Sequence, residues 1–157
     1  MKKMIISSLE RVPELADRFR PDCLLSISAI PETPGYMKPS QHWVLNFADI
    51  DTPTRKNVRF AAKPTDIDVI RSLKDEETLL INCRLGQRRS PTAALILLWS
   101  IYPGQEREWA EQIMTMASYV RWNDWMLKLA SKDQASRVIN RPLVVPPKGA
   151  FFVLELD

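Results

Sequence analysis

Thr78-Leu79-Leu80-Ile81-Asn82-Cys83-Arg84-Leu85-Gly86-Gln87-Arg88-Arg89-Ser90-Pro91-Thr92-Ala93-Ala94-Leu95-Ile96-Leu97-Leu98-Trp99 is the stretch on which the fold turns. Its first residues form a short apolar run of the kind that makes a buried strand, and its last form a longer apolar run with helix-forming composition. Between them lies a compact loop that begins at Cys83, contains Gly86 and ends where the helix starts. Five residues separate Cys83 from Arg89. A loop of that length can curl until its backbone N–H groups point into one concavity. Joined to a helix N-terminus, such a concavity is an anion site. It would carry a thiol at its floor and a planar, two-pronged guanidinium at its rim. The chemistry this combination favours is attack of a thiolate on a phosphate ester.

Working outward, residues 3–7 read as a first strand. Residues 9–19 read as a helix, with Leu9, Val12, Leu15 and Ala16 on one face. Residues 22–29 read as a second, buried strand, and Pro31, Pro34, Gly35 and Pro39 mark a loop after it. Residues 42–47 read as a third strand and 48–63 as a long polar loop. Thr65 is the expected N-cap of a helix running to about Leu73, with Asp66 and Asp68 in its first turn. The helix after Arg89 is expected to stop near Tyr102-Pro103-Gly104, and further helices are expected over 105–118 and 122–132. Strands alternating with helices predict an α/β fold, with a central, mainly parallel sheet of four to five strands flanked by helices. Residues 137–157 are expected to be a C-terminal extension of the domain formed by residues 1–136. Leu143-Val144-Val145, then Pro146-Pro147-Lys148-Gly149, then Phe151-Phe152-Val153-Leu154 has the style of strand, turn, strand. An extra edge strand or an arm over the core is favoured there over a subunit-exchange or partner-docking arm.

The chain has 157 residues, enough for one domain with a substantial core. Hydrophobic residues make up 45% and charged residues 26%, as in ordinary globular proteins. A net charge of +3 is too small to argue for nucleic acid, yet Arg84, Arg88 and Arg89 concentrate positive charge in one loop. The two cysteines, Cys23 and Cys83, imply no disulfide framework. A reactive thiol needs a reducing compartment, so a cytoplasmic location is expected. The start, Met1-Lys2-Lys3-Met4-Ile5-Ile6-Ser7, resembles a leader peptide, but its apolar part is too short. The apolar run 95–101 is too short to span a bilayer and reads as a core helix. No metal or cofactor is expected, and the single histidine, His42, reads as structural. Trp99, Trp109, Trp122 and Trp125 read as core, and Cys23 as a buried, inert thiol.

The run Asn82-Cys83-x-x-Gly86-x-x-Arg89-Ser90 resembles the signature of the cysteine-dependent protein tyrosine phosphatase superfamily, His-Cys-x-x-Gly-x-x-Arg-Ser/Thr. The small dual-specificity-like branch with its bacterial relatives is the part most resembled. The likeness in layout covers residues 1–135, while the loop carries the residue-level match. It implies a phosphatase acting through a phosphocysteine intermediate on phosphotyrosine or other phosphomonoesters. Its partners would be a phosphorylated protein or a small phosphoester, with no membrane and no nucleic acid involved. Cys83 would be the nucleophile, Arg89 the oxyanion ligand, and Ser90 a hydrogen-bond donor to the sulfur as it leaves. Residues Arg84, Leu85, Gly86, Gln87, Arg88 and Arg89 would line the phosphate site. Arg88 also fits a plain surface position at the helix start.

The family's general acid comes from a loop upstream of the cysteine strand. Here Asn46-Phe47-Ala48-Asp49-Ile50-Asp51-Thr52-Pro53 offers two carboxylates. The resemblance favours Asp49, with Asp51 as the alternative acid or as a loop-stabilising or capping residue. One departure stands out. The histidine that in the family orients the loop and favours the thiolate is Asn82 here, which can hydrogen-bond but cannot carry charge. That substitution supports a second possibility, a phosphate-binding module that turns over poorly.

Overall fold

The computed structural model describes residues 1–29 and 41–156, so the loop expected over Pro31 to Pro39 lies outside the described residues. Five strands form one sheet: β1 (Lys3–Ser8), β2 (Cys23–Ser28), β3 (Gln41–Asn46), β4 (Thr78–Cys83) and β5 (Phe151–Glu155), in the order β3-β2-β4-β1-β5. The first four run parallel, and β5 pairs antiparallel with β1 at the sheet edge. The α/β fold with a five-stranded, mostly parallel sheet is the one the sequence predicts.

Helices cover both faces. On one, α1 (Val12–Phe19) packs Val12 and Leu15 against Ile5, Leu24 and Leu80. On the other, α3 (Arg89–Ile101) crosses the sheet with every residue from Ser90 to Trp99 buried. A helix apolar on all sides needs partners all round. Here α2 (Pro64–Ser72), α4 (Glu106–Met116) and α5 (Asp124–Ala130) surround α3. Trp99, Trp109, Trp122 and Trp125 belong to this layer, while Trp43 on β3 is exposed. Trp122 and Trp99 are buried, and the Trp125 indole donates to the Ala62 carbonyl at 2.9 Å.

Local expectations shift at three places. Thr65 does not cap α2. Pro64 occupies the first helical position, for which its fixed φ suits it, and this moves the cap back to Lys63, whose N–H donates to Asp66 Oδ2 at 2.8 Å. The 122–132 helix divides into α5 and a separate α6 (Lys132–Ser136). Asn123 caps the first through Met126 N–H, and Ser131 caps the second through Gln134 N–H. Finally, Leu143-Val144-Val145 is not a strand, and all three side chains are exposed. β1 has one free edge and β5 takes it, and residues 143–145 do not pair with the outer edge of β5. The segment is instead held from its flanks. The Arg141 guanidinium donates to the carbonyls of Met114, Ala117 and Val120, which closes the C-terminal end of α4.

Candidate active site

β4 lies in the middle of the sheet and ends at Cys83, which places the cysteine at the carboxyl edge of the parallel strands, where α/β proteins form their ligand crevices. The loop 84–88 then turns back under the N-terminus of α3. Cys83 is 3% exposed, and its Sγ lies 3.2 Å from Ser90 Oγ in the first turn of that helix. Gly86 makes this turn possible. Its φ is +70°, and a Cβ there would lie 2.5 Å from the Ser8 nitrogen and 2.7 Å from the Ser7 carbonyl carbon. The loop therefore rests directly on the end of β1, and the Leu9 N–H donates to the Arg84 carbonyl at 3.1 Å beside that contact.

A cavity of about 90 Å³ opens above the sulfur, lined by Cys83, Arg84, Leu85, Gln87, Arg88, Arg89 and Asp49. The Arg89 guanidinium is oriented from behind, one Nη donating at 2.9 Å to the carbonyl of Phe47, just past the end of β3. The Gln87 side chain turns away from the cavity. It is buried, and its amide donates to the carbonyls of Tyr119 at 3.2 Å and Val144 at 2.5 Å. Gln87 thus reaches the site through its backbone, while its side chain ties down the C-terminal segment. Arg84 and Leu85 are exposed at the cavity mouth.

Arg88 is not a surface side chain. It is 12% exposed and joins the cysteine loop to the acidic loop, pairing with Asp49 at 3.2 Å and with Asp51. The two carboxylates have different surroundings. Asp49 lines the cavity and also accepts from the Asn123 amide at 2.7 Å. Asp51 is not among the lining residues. It accepts from Arg88, from the Asp124 N–H at 3.0 Å and from Arg121 at 3.5 Å, capping α5 across space. Nothing in the local pattern of 121–124 marks Arg121 or Asn123 as site residues, because their partners lie 70 and 74 positions away.

Burial opposes ionisation of Asp51, but the hydrogen bonds from Arg88 and Asp124 and the charges of Arg88 and Arg121 outweigh it and hold its carboxyl below the ordinary value. The folded-state value is depressed. The stability it contributes is therefore complete above the unfolded aspartate value of about 3.9 and is lost as pH falls through the lower folded value. Acid titration of unfolding should show the wild type losing stability below about pH 4 more steeply than Asp51→Asn. Parallel curves for the two proteins would remove Asp51 from the acid response.

Asn82 faces the opposite side of the sheet from Cys83, as neighbours in a strand do. Its Oδ1 accepts from Ser26 Oγ at 2.7 Å, and Ser26 lies 3.1 Å from His42 Nε2. Since the Ser26 hydroxyl has one proton and donates it to Asn82, His42 donates through Nε2–H. Burial holds the His42 ring below its ordinary pKa, which is consistent with a neutral imidazole in that role. Cys23 is a contrast to Cys83. Burial, with Glu76 and Asp22 nearby, pushes its thiol up to about 12, so it stays protonated and unreactive.

The structure resembles solved phosphatases of low sequence identity. DUSP15 superposes with a TM-score of 0.63 at 16% identity, over 85% of this chain and 85% of that one. Human DUSP28 gives 0.58 at 10% identity, over 85% and 92%. PTPMT1, in a structure with PI(5)P bound, gives 0.55 at 13% identity, over 85% and 91%. The fold is thus that of the dual-specificity phosphatases of the protein tyrosine phosphatase superfamily. No protein-family model matches the sequence, and no curated protein matches it.

Proposed function

We propose that this protein is a cysteine-dependent phosphatase that hydrolyses phosphomonoesters through a phosphocysteine intermediate. The observation that carries this reading is the small cavity in which Cys83, Arg89 and Asp49 meet at the N-terminus of α3. The phosphate oxygens take the loop N–H groups and the Arg89 fork, and Sγ attacks phosphorus from below. The P–O bond to the leaving group breaks as the S–P bond forms. Asp49 supplies the proton to the departing oxygen, then takes one from the water that cleaves the S–P bond. Ser90 Oγ, within hydrogen-bond reach of the sulfur, stabilises the thiolate as it is released. A thiol with this duty works in a reducing compartment, and the cytoplasm is the proposed location. No helix among the described residues is long and apolar enough to cross a membrane.

Hydrolysis of para-nitrophenyl phosphate tests the reading directly, and no turnover at any pH between 5 and 8 would overturn it. The acid has its own test. Asp49→Asn should slow an alkyl phosphate by about 100-fold and para-nitrophenyl phosphate much less, because only the poor leaving group needs the proton. Asp51→Asn should not show that leaving-group dependence. The reverse pattern would transfer the role to Asp51.

One observation favours the second reading, a phosphate-binding module with little turnover. Asp49 pairs with Arg88 through Oδ2 at 3.2 Å and accepts from the Asn123 amide through Oδ1 at 2.7 Å, so both of its oxygens are engaged within the protein and neither is free to meet a leaving group. Phosphate binding without hydrolysis in the wild type is the result that would select this alternative.

A further inference from the structure

A second cavity, of about 630 Å³, lies beside the first and shares Arg84 and Leu85 with it. Its far wall is the segment 145–149, and its floor includes Ser8 and Leu9 at the end of β1. Leu85 and Val145 stand at its lips, 54% and 93% exposed, with Pro146 and Pro147 next to them. The walls are fixed in place. Gln87 grips the Val144 carbonyl from inside the cysteine loop, the Ser8 N–H donates to the Ala150 carbonyl at 2.9 Å, and the Leu9 N–H donates to the Arg84 carbonyl. Gly149, at φ +66°, packs so closely that a Cβ would lie 3.1 Å from Arg11 and Glu10 side-chain atoms.

We propose that this groove is the substrate's apolar subsite: it takes an apolar, ring-sized body attached to the phosphoester oxygen of a small-molecule phosphomonoester. The inference rests on the phosphatase reading and names its substrate class. Three observations support that occupant. The cavity over Cys83 has room for a phosphate group and little more, so the rest of any substrate must lie outside it. The groove is contiguous with that cavity across Leu85, and its volume is in the range of small-molecule sites. Arg84 and Lys148 outnumber Glu10 among its charged lining residues, which favours an anionic ligand.

The test compares biphenyl-4-yl phosphate with phenyl phosphate, whose phenols are of similar acidity, so that chemistry is matched and only the apolar body differs. The wild type should prefer the biphenyl ester in kcat/KM. Val145→Asp should lower that preference about 5- to 10-fold, and Val145→Ser by less. Val145 supports no packing, so folding is not at stake. An unchanged preference in both variants, with phenyl phosphate still hydrolysed, overturns the subsite and leaves the phosphatase reading standing. If neither ester is hydrolysed, the phosphatase reading falls, and calorimetric titration decides the subsite. Tighter binding of the biphenyl ester, lost in Val145→Asp, supports it; equal affinities overturn it. If Val145→Asp instead converts a dimer to a monomer in sedimentation with the preference unchanged, a second copy of the chain covers the groove and the subsite is overturned.

Discussion

Cys83→Ser should abolish hydrolysis of para-nitrophenyl phosphate, by at least about 10⁴-fold in kcat, while phosphate or tungstate still binds. In the proposed mechanism the sulfur is the group that forms the covalent intermediate. A serine hydroxyl there keeps its proton at neutral pH and is a far weaker nucleophile than a thiolate. Ser90 Oγ, the nearest hydrogen-bonding group, is itself a hydroxyl. In the proposed mechanism the binding groups are separate from the nucleophile. They are the loop amides, the α3 N-terminus and the Arg89 guanidinium, which is held from outside the loop by the Phe47 carbonyl. Oxygen for sulfur is a small change at a position packed against Ser90, so the loop keeps its shape. Stopped-flow turnover measured beside calorimetric oxyanion affinity checks both halves. Turnover within tenfold of the wild type would end the covalent mechanism.

Gly86→Ala should be as damaging to the site and far more damaging to stability. Two costs fall on one methyl group. An L-residue at φ +70° carries about 1–3 kcal/mol of backbone strain. The new Cβ also meets the Ser7–Ser8 backbone at 2.5–3.0 Å. That backbone cannot withdraw easily, because β1 is paired on one side with β4 and on the other with β5, and Ser8 N–H is bonded to Ala150. Relieving such overpacking costs a further ~1–3 kcal/mol, for a total of about 2–6 kcal/mol. The relief would come from the loop, so oxyanion affinity should fall along with the denaturation midpoint. A variant with wild-type stability and wild-type phosphate affinity would show that the loop does not need this conformation.

The distance over which each interaction acts decides how much of the site is legible in the sequence. The cysteine loop is legible because its parts are adjacent. An apolar run sets the strand, Gly86 permits the turn, and the next apolar run sets the helix, all within 22 consecutive residues. The same locality makes the parallel strands readable, since a strand buried on both faces is mostly apolar rather than alternating, as β2 and β4 are. Leu143-Val144-Val145 lacks that locality. Its apolar composition is strand-like, but a strand needs a partner strand alongside it, and only the packing of the whole chain determines whether the segment is brought against one.

Arg88 marks the same boundary inside the site. In the chain it is one of two adjacent arginines, with no local sign that it pairs with Asp49 and Asp51. The helix start points them in different directions, and folding brings the acidic loop, 37 positions upstream, onto Arg88. The choice between Asp49 and Asp51 as the cavity's carboxylate follows from that contact, together with Asn123 and Arg121 contributed from beyond α4. By itself, then, the sequence determined the cysteine loop and the order of strands and helices that presents it, because backbone geometry and burial period are local properties. Only the tertiary structure decided the partners of Arg88, Asn82 and Gln87. A charge or an amide can pair with any complementary group within reach, and what lies within reach is set by the packing of distant segments.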